Sequence, residues 1–450
     1  MPQIYQAGQA PDAGPPPESG AGPSGAVPED VLDDSIRRRA LFALGCGNTL
    51  EWYDWQVYGL LAVSMAPHFF PAKDPATGVL SAMAVFAVGF AARPLGGIVL
   101  GTVADRIGRK GVTLLSVGLM ALASFVIAVL PGHDAIGVWS GVLLLFSRLV
   151  QGFSTGIEAP LSTAYAVELV PRDRVGRAAG TMSAYVNAGL FTAALVPFVL
   201  SSVLGDAALN EWAWRLPFAL GGIAGIVIML MRRSLPETLG RQKAQQTAQQ
   251  APVASPWRGV RSNLLGLFAI IFVVAAAQAF NYGWAVGLPA RAQAVFHESP
   301  HQVFLVTSLY SLVTVVLALI VGRFADRVQL GRLFVWFRLL AIPVVFLILA
   351  YHGGVGSLGV ILIGGGVVLA ANMTLYNAVS ASLMPQHSRG VGTGLGYAIG
   401  VALFGGTAPY LMQWLSPRGL YYTFPIYVAV LSAVSLVLYL LARRRGRIYL

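Results

Sequence analysis

Acidic and basic residues occur inside stretches of this chain that are otherwise apolar, and their spacing is the first clue to chemistry. Glu51 and Asp54 lie three apart in Gly47-Asn48-Thr49-Leu50-Glu51-Trp52-Tyr53-Asp54-Trp55, and Tyr58 continues the stripe. On a helix that spacing puts both carboxylates on one face. If Ala40 begins the helix they sit about 16–21 Å along it. Farther on, Arg148, Gln151, Thr155, Glu158 and Ser162 recur at spacings of 3, 4, 3 and 4, one polar stripe on an apolar helix. Gly152 and Gly156 flank the stripe and let a neighbouring backbone come close. Arg93 precedes Pro94, which removes a backbone donor and is expected to bend the helix, turning Arg93 toward a cavity. Arg215 stands in Trp212-Ala213-Trp214-Arg215-Leu216-Pro217-Phe218, a string that equally suits an arginine at a membrane interface. Acids that load and release a proton, beside guanidiniums that hold an anion, are the chemistry these groups offer. No nucleophile–base arrangement, metal-ligand cluster, phosphate-cradling Gly-Lys-Ser/Thr loop or cofactor motif is visible, so an enzyme is not expected.

In the later part of the chain the polar residues within apolar stretches are mostly neutral: Gln278, Asn281, Tyr282, Tyr310, Asn372, Tyr376, Asn377 and Tyr397. Such groups suit hydrogen bonding to a small molecule, and equally bonding between helices. Two further charge groups fall at turns. The first is Gly101-Thr102-Val103-Ala104-Asp105-Arg106-Ile107-Gly108-Arg109-Lys110, and the second runs from Gly322 through Asp326 and Arg327 to Gly331 and Arg332, with extra residues before Gly331. An acid at such a helix end can pair with nearby arginines in one state and release them in another, which is a gate. Asp105 and Asp326 stand 221 residues apart, about half the chain, so the sequence reads as a duplicated six-helix unit.

What must position these groups follows from composition. Of 450 residues 56% are apolar and 11% charged, against ~25% charged in soluble domains. Apolar blocks such as 112–130, 264–277 and 426–442 approach the ~20 residues that cross a bilayer. In lipid these must be helices, and the lack of alternation argues against a barrel. Twelve spans are predicted near 40–66, 78–103, 112–131, 138–168, 178–203, 213–231, 263–290, 301–324, 332–351, 356–384, 389–415 and 420–442. The expected organisation is a disordered tail over 1–35, a six-helix bundle over 36–232, a linker over 233–262, a second bundle over 263–442 and a basic tail over 443–450. The net charge of +11 follows the loops and leaves only Lys73, Arg291 and Arg418 on one side. That asymmetry places both termini in the cytoplasm and gives no reason to expect nucleic acid. Arg338 is expected to reach back to the face of Arg332, and Cys46, the single cysteine, to be a buried inert thiol.

The helix-one string, the turn at Gly101, Asp105, Arg106, Gly108 and Arg109, the run Arg148–Glu158, Trp214–Phe218 and Leu235-Pro236-Glu237-Thr238 together resemble the metabolite–proton symporter branch of the major facilitator superfamily. Within it the likeness is greatest to α-ketoglutarate permeases, through 90–97, 206–220 and 392–410. Ile157 before Glu158 and Ala159-Pro160 after it depart from the pattern of many members. The resemblance implies an all-α membrane protein with the major facilitator fold, twelve helices in two halves, in a bacterial cytoplasmic membrane and without cofactor. It implies proton-coupled import of a small carboxylate such as α-ketoglutarate by a monomer among lipids, with Arg93 and Arg215 on the dicarboxylate. Candidate substrate contacts are Arg93, Arg215, Arg148, Tyr58, Gln151, Asn281, Tyr282, Asn372, Tyr376 and Tyr397; candidate proton carriers are Asp54, Glu51 and Glu158. Import of a zwitterion or aromatic acid (betaine, proline or shikimate-like), export, and ligand sensing without turnover are the alternatives.

Overall fold

The computed structural model describes residues 34–107, 109–156, 175–233, 256–385, 388–446 and 448. Most of the expected tail and linker, and the candidate residues Gly108 and Glu158, lie outside the described residues. The described part of the linker ends in a short helix, Pro256–Ser262.

Twelve helices correspond to the twelve predicted spans. The first half contains α1 Asp34–Phe69, α2 in two segments Pro75–Ala91 and Arg93–Ile107, α3 Arg109–Val129, α4 Trp139–Thr155, α5 Val175–Ala208 and α6 Arg215–Arg233. The second contains α7 Leu264–Tyr282, continued by Gly283–Gly287 and Leu288–Ala294, and α8 Pro300–Arg327. It goes on with α9 Leu330–Val344, α10 Val355–Ser382, α11 Arg389–Gly400 continued by Val401–Gly405 and Ala408–Leu415, and α12 Thr423–Arg444. Ten helical stretches among the described residues are long and apolar enough to cross a membrane. The other two of the twelve are α1, which carries the acid pair, and α4, whose predicted continuation lies outside the described residues.

Burial sorts the helices into central and peripheral. From Trp52 to Ala66 α1 is covered on nearly every side, as is α7 from Ala269 to Ala292. A helix apolar all round and covered all round belongs at the centre. By contrast α6 turns Ile223, Val227 and Leu230 outward and α9 turns out Trp336 and Leu340, as lipid-facing helices do.

The halves meet where α5 lies along α8, α2 against α11 and α1 against α7. At the arginine-rich end, Gly176 and Gly180 of α5 face Gly322 of α8 so closely that a Cβ on Gly322 would stand 2.6 Å from the Gly180 Cα. Asp326 there accepts the Arg177 backbone N–H and pairs with the Arg177 Nε at 3.2 Å. A carboxylate at a helix N-terminus answers its unpaired N–H groups. At the other end the roles reverse. Gly205 takes φ +83°, which glycine tolerates, and Asp206 just beyond it accepts from the Ser299 hydroxyl (2.5 Å) and the His301 N–H (3.0 Å) at the start of α8.

Between α1 and α7 the contact has a specific cause. Pro289 has no N–H to offer the Ala285 carbonyl four residues earlier, and the Gln56 amide of α1 takes that carbonyl at 2.6 Å. The lone Cys46 is a free thiol that is only partly buried, not fully so as expected.

Candidate functional site

The charged side chains of the first half converge between α1, α2 and α4. Pro94 does interrupt α2, which breaks at Ala92 between its two segments. Close packing then brings the arginine of α2 to the other charges. Gly152 and Gly156 of α4 face the backbone of Gly89, Arg93 and Gly96 in α2, leaving no room for a Cβ at any of the glycines Gly96, Gly152 and Gly156.

Two ion pairs result. Arg93 Nη1 stands 3.1 Å from Glu51 Oε1, and Arg148 Nη1 stands 3.4 Å from Asp54 Oδ2. Exposures of 1% for Glu51, 2% for Asp54, 2% for Arg93 and 0% for Arg148 show that all four charges are sealed from the surroundings. Taking such ions out of water costs several kcal/mol each, and pairing is what offsets it. Around Asp54 the bonding is extensive: Ser124 of α3 donates to Oδ1 at 2.5 Å, the Gln151 amide donates to Ser124 at 2.9 Å, and Arg148 donates to the Gln151 carbonyl oxygen at 2.6 Å.

Trp55 lies between the two arginines. The Arg148 guanidinium is 4.0 Å and that of Arg93 4.6 Å from its ring centre, with Tyr58 4.4 Å from Arg148 and Phe90 4.5 Å from Arg93. Cation–π contact of this kind adds to the stabilisation of a desolvated guanidinium. Several donors here are still unused: Arg93 Nε, Arg148 Nε and Nη2, and Trp55 Nε1 are buried without hydrogen-bond partners. A planar carboxylate is the group such forked donors fit.

From the second half, Tyr282 of α7 packs on Trp52, Phe86 and Phe90, and Tyr397 of α11 lies beside Arg93. Tyr397 in turn stacks on Tyr376 of α10, whose hydroxyl accepts from the Gln278 amide at 3.1 Å. Both α7 and α11 carry a turn of π-helix next to these residues, Gly283–Gly287 and Val401–Gly405, an irregularity frequent at functional sites.

Other expected contacts are placed differently. Arg215 donates to the Leu130 carbonyl at 3.0 Å and lies over Trp214, about 9 Å beyond Ser124 along α3. It is not gathered into the cluster in this conformation. Asn372 gives its amide to the Phe337 and Val368 carbonyls of α9 and α10. Asn281 is buried with its amide nitrogen unpartnered. Glu158 and Gly108 lie outside the described residues, as do the surroundings of Gly101 and the side chains of Asp105, Arg106 and Arg109. Arg327 lies beside the paired Asp326 at the end of α8. Arg338 corrects an expectation: it does not reach the arginine-rich face but is 1% exposed, donating to the Val273 carbonyl of α7 at 3.0 Å. Its rotation on α9 points it into the bundle, so snorkelling is not open to it.

Residue spacing missed four members of the site. Trp55 is four residues after Glu51 and so shares its face, a signal that was present. Phe86, Phe90 and Ser124 sit in apolar runs with nothing in the sequence to distinguish them.

Comparison with known proteins agrees with this architecture. The chain is 31% identical over 428 residues to the alpha-ketoglutarate permease of Escherichia coli (strain K12), spanning 93% of this chain and 97% of that one. It is 29% identical to the proline/betaine transporter of the same strain, over 90% of this chain and 83% of that one. It is also 29% identical to the citrate-proton symporter of Salmonella typhi, over 82% and 85%. In fold it is similar to a D-xylose-proton symporter, with a TM-score of 0.67 at 18% identity, covering 89% of this chain and 97% of that one. The profile of the Major Facilitator Superfamily matches residues 44–399, and the chain, a multi-pass membrane transporter, belongs to that superfamily.

Proposed function

We propose that this transporter is a proton-coupled symporter that imports a small organic acid, 2-oxoglutarate or a related dicarboxylate, by alternating access. The observation that carries the reading is the pair of buried guanidiniums at Arg93 and Arg148, each matched to an acid on α1 and each with unused donors. An incoming carboxylate competes with Glu51 and Asp54 for these arginines. A proton on one acid removes its claim, so the loaded carrier buries little net charge as the halves rock. Asp54 is the favoured proton carrier, because its whole bonding network belongs to the first half and persists whichever way the second half moves. Glu51 pairs with Arg93, beside which Tyr397 of the second half lies, and in this reading it reports the arrival of substrate between the halves.

In this reading Asp326 and Arg177 belong to a latch at the arginine-rich end, joined by the turn at Asp105. The arginine-rich face is cytoplasmic, with both termini there, and the membrane is the bacterial cytoplasmic membrane. The monomer is the working unit. Two acids balanced by two arginines also suit a zwitterion, and the proline/betaine relatives favour that as the second reading.

Proteoliposomes holding the purified chain separate the two. Under an imposed inward proton gradient, labelled 2-oxoglutarate is expected to accumulate and proline and betaine are not. Accumulation of the zwitterions alone replaces the first reading with the second, and efflux driven by the same gradient makes the protein an exporter. Saturable binding without accumulation of any of them points to a receptor.

A further inference from the structure

At the arginine-poor end of the second half lies a group of polar atoms that the central cluster does not use. Arg291, in the last segment of α7, is only 8% exposed. Among the described residues its guanidinium makes neither a hydrogen bond nor an ion pair, and its Nε is buried without a partner. Two aromatic rings hold it instead, Phe296 and Tyr421, each centred 5.2 Å from the guanidinium carbon. Aromatic faces offset only part of what a desolvated cation loses.

Tyr351 completes the group. It is 1% exposed, packs edge-on against Phe296 at 4.8 Å, and its hydroxyl is likewise buried without a partner. A phenol keeps its proton at neutral pH, so this hydroxyl is a donor. Glu298 does not neutralise the arginine; its Oε1 accepts the Gly354 N–H and pins the turn after Tyr351. A guanidinium and a phenol thus pack against one ring, Phe296, each with a donor that no described residue takes up. That is the setting of an anion site.

We propose that Arg291 and Tyr351 form an entry site for a small carboxylate, which holds the anionic substrate at the arginine-poor face before it passes to Arg93 and Arg148. Position supports the transfer. Tyr282, which packs against the central cluster, lies nine residues earlier on the same helix, about 14 Å away along its axis. The proposal rests on the reading of the substrate as an organic acid and of this face as the outer one.

Its test is sided transport of labelled 2-oxoglutarate by the full chain in proteoliposomes of uniform orientation. Arg291→Gln is expected to raise the half-saturating concentration for uptake about tenfold with the maximal rate within about twofold, as for loss of one charged hydrogen-bonding partner. Tyr351→Phe, which removes only an oxygen, should raise it about threefold, and Arg291→Lys should recover part of the loss. Efflux, which loads from the other face, should keep its half-saturation in all three. An unchanged half-saturation for uptake in both Arg291→Gln and Tyr351→Phe overturns the entry site while leaving carboxylate import standing, since the wild type transports in the same assay. Maximal rates falling together in both directions at constant half-saturation overturn it in favour of a packing role. A wild type that moves no carboxylate overturns the entry site and the organic-acid reading together.

Discussion

The two halves enclose the same site with different chemistry. The first supplies charge, with Glu51 and Asp54 on α1, Arg93 on α2 and Arg148 on α4, tied together by Ser124 and Gln151. From the second come neutral groups: Tyr282, Tyr397, and Tyr376 with its Gln278 partner. Buried charge must stay matched in every state the protein visits, so the first half has little freedom to vary its partners. A neutral hydrogen bond contributes only ~1 kcal/mol net and can be exchanged with small consequence. On the proposed reading, coupling belongs to the first half and the second half adjusts which substrate fits.

The largest expected effect tests the charged side of that contrast. Asp54→Asn keeps the shape but cannot cycle a proton, so gradient-driven accumulation should vanish while exchange between equal compartments survives. A substitution that merely broke a structural pair would instead lower folded yield and weaken both activities together. Glu51→Gln, measured in parallel, shows which of the two acids carries the proton, and accumulation surviving in both variants would pass the role to Glu158.

Next comes Arg93→Lys. The charge is kept and the forked geometry lost, so uptake should fall on the order of 10–100-fold if Arg93 grips a carboxylate at two points. Normal uptake by the Lys variant would return Arg93 to holding α2 against α1.

A smaller effect is expected at the latch. Asp326→Asn removes the ion pair with Arg177 and weakens the bond to the α5 backbone. Because Arg177 is mostly exposed, the pair itself contributes little, roughly 0–1 kcal/mol. Net transport should change a few-fold while substrate affinity measured by equilibrium binding stays within about twofold. Affinity lost in step with transport would move Asp326 from rocking to binding.

Smallest of all, Tyr376→Phe removes one hydroxyl and its bond to Gln278. It should shift half-saturation by about twofold and reorder preference among carboxylates, with the proton-to-substrate ratio untouched. A changed ratio would break the division of labour between the halves.

How far the site could be read in advance depended on whether a signal was local. The stripes of α1 and α4 were legible because a polar residue at every third or fourth position of an apolar run is costly in lipid and must face the inside of the bundle. Trp55 shared that periodicity, but a tryptophan in an apolar helix looks like ordinary core. Ser124 gave no sign, since its importance comes from the Asp54 carboxylate it meets 70 residues away. Arg338 was misjudged, and the partners of the Asn372 amide were not foreseen, for one physical reason: position along a helix was known, rotation about its axis was not. Their side chains turn to backbone carbonyls, Arg338 to Val273 and Asn372 to Phe337 and Val368.

Hydropathy, charge placement and the repeated Asp-Arg turns are properties of short segments, and from them the residues alone decide that the chain crosses a membrane about twelve times in two related halves. Which acid takes which arginine is a different kind of fact. It depends on α2 and α4 closing through Gly89, Gly96, Gly152 and Gly156, and on α1 standing at the centre with its faces turned to α2, α4 and α7. Contacts of that kind join residues tens to hundreds of positions apart, and only packing in three dimensions can choose among them. Packing is what sets Glu51 against Arg93 and Asp54 against Arg148, with Trp55 between the two guanidiniums.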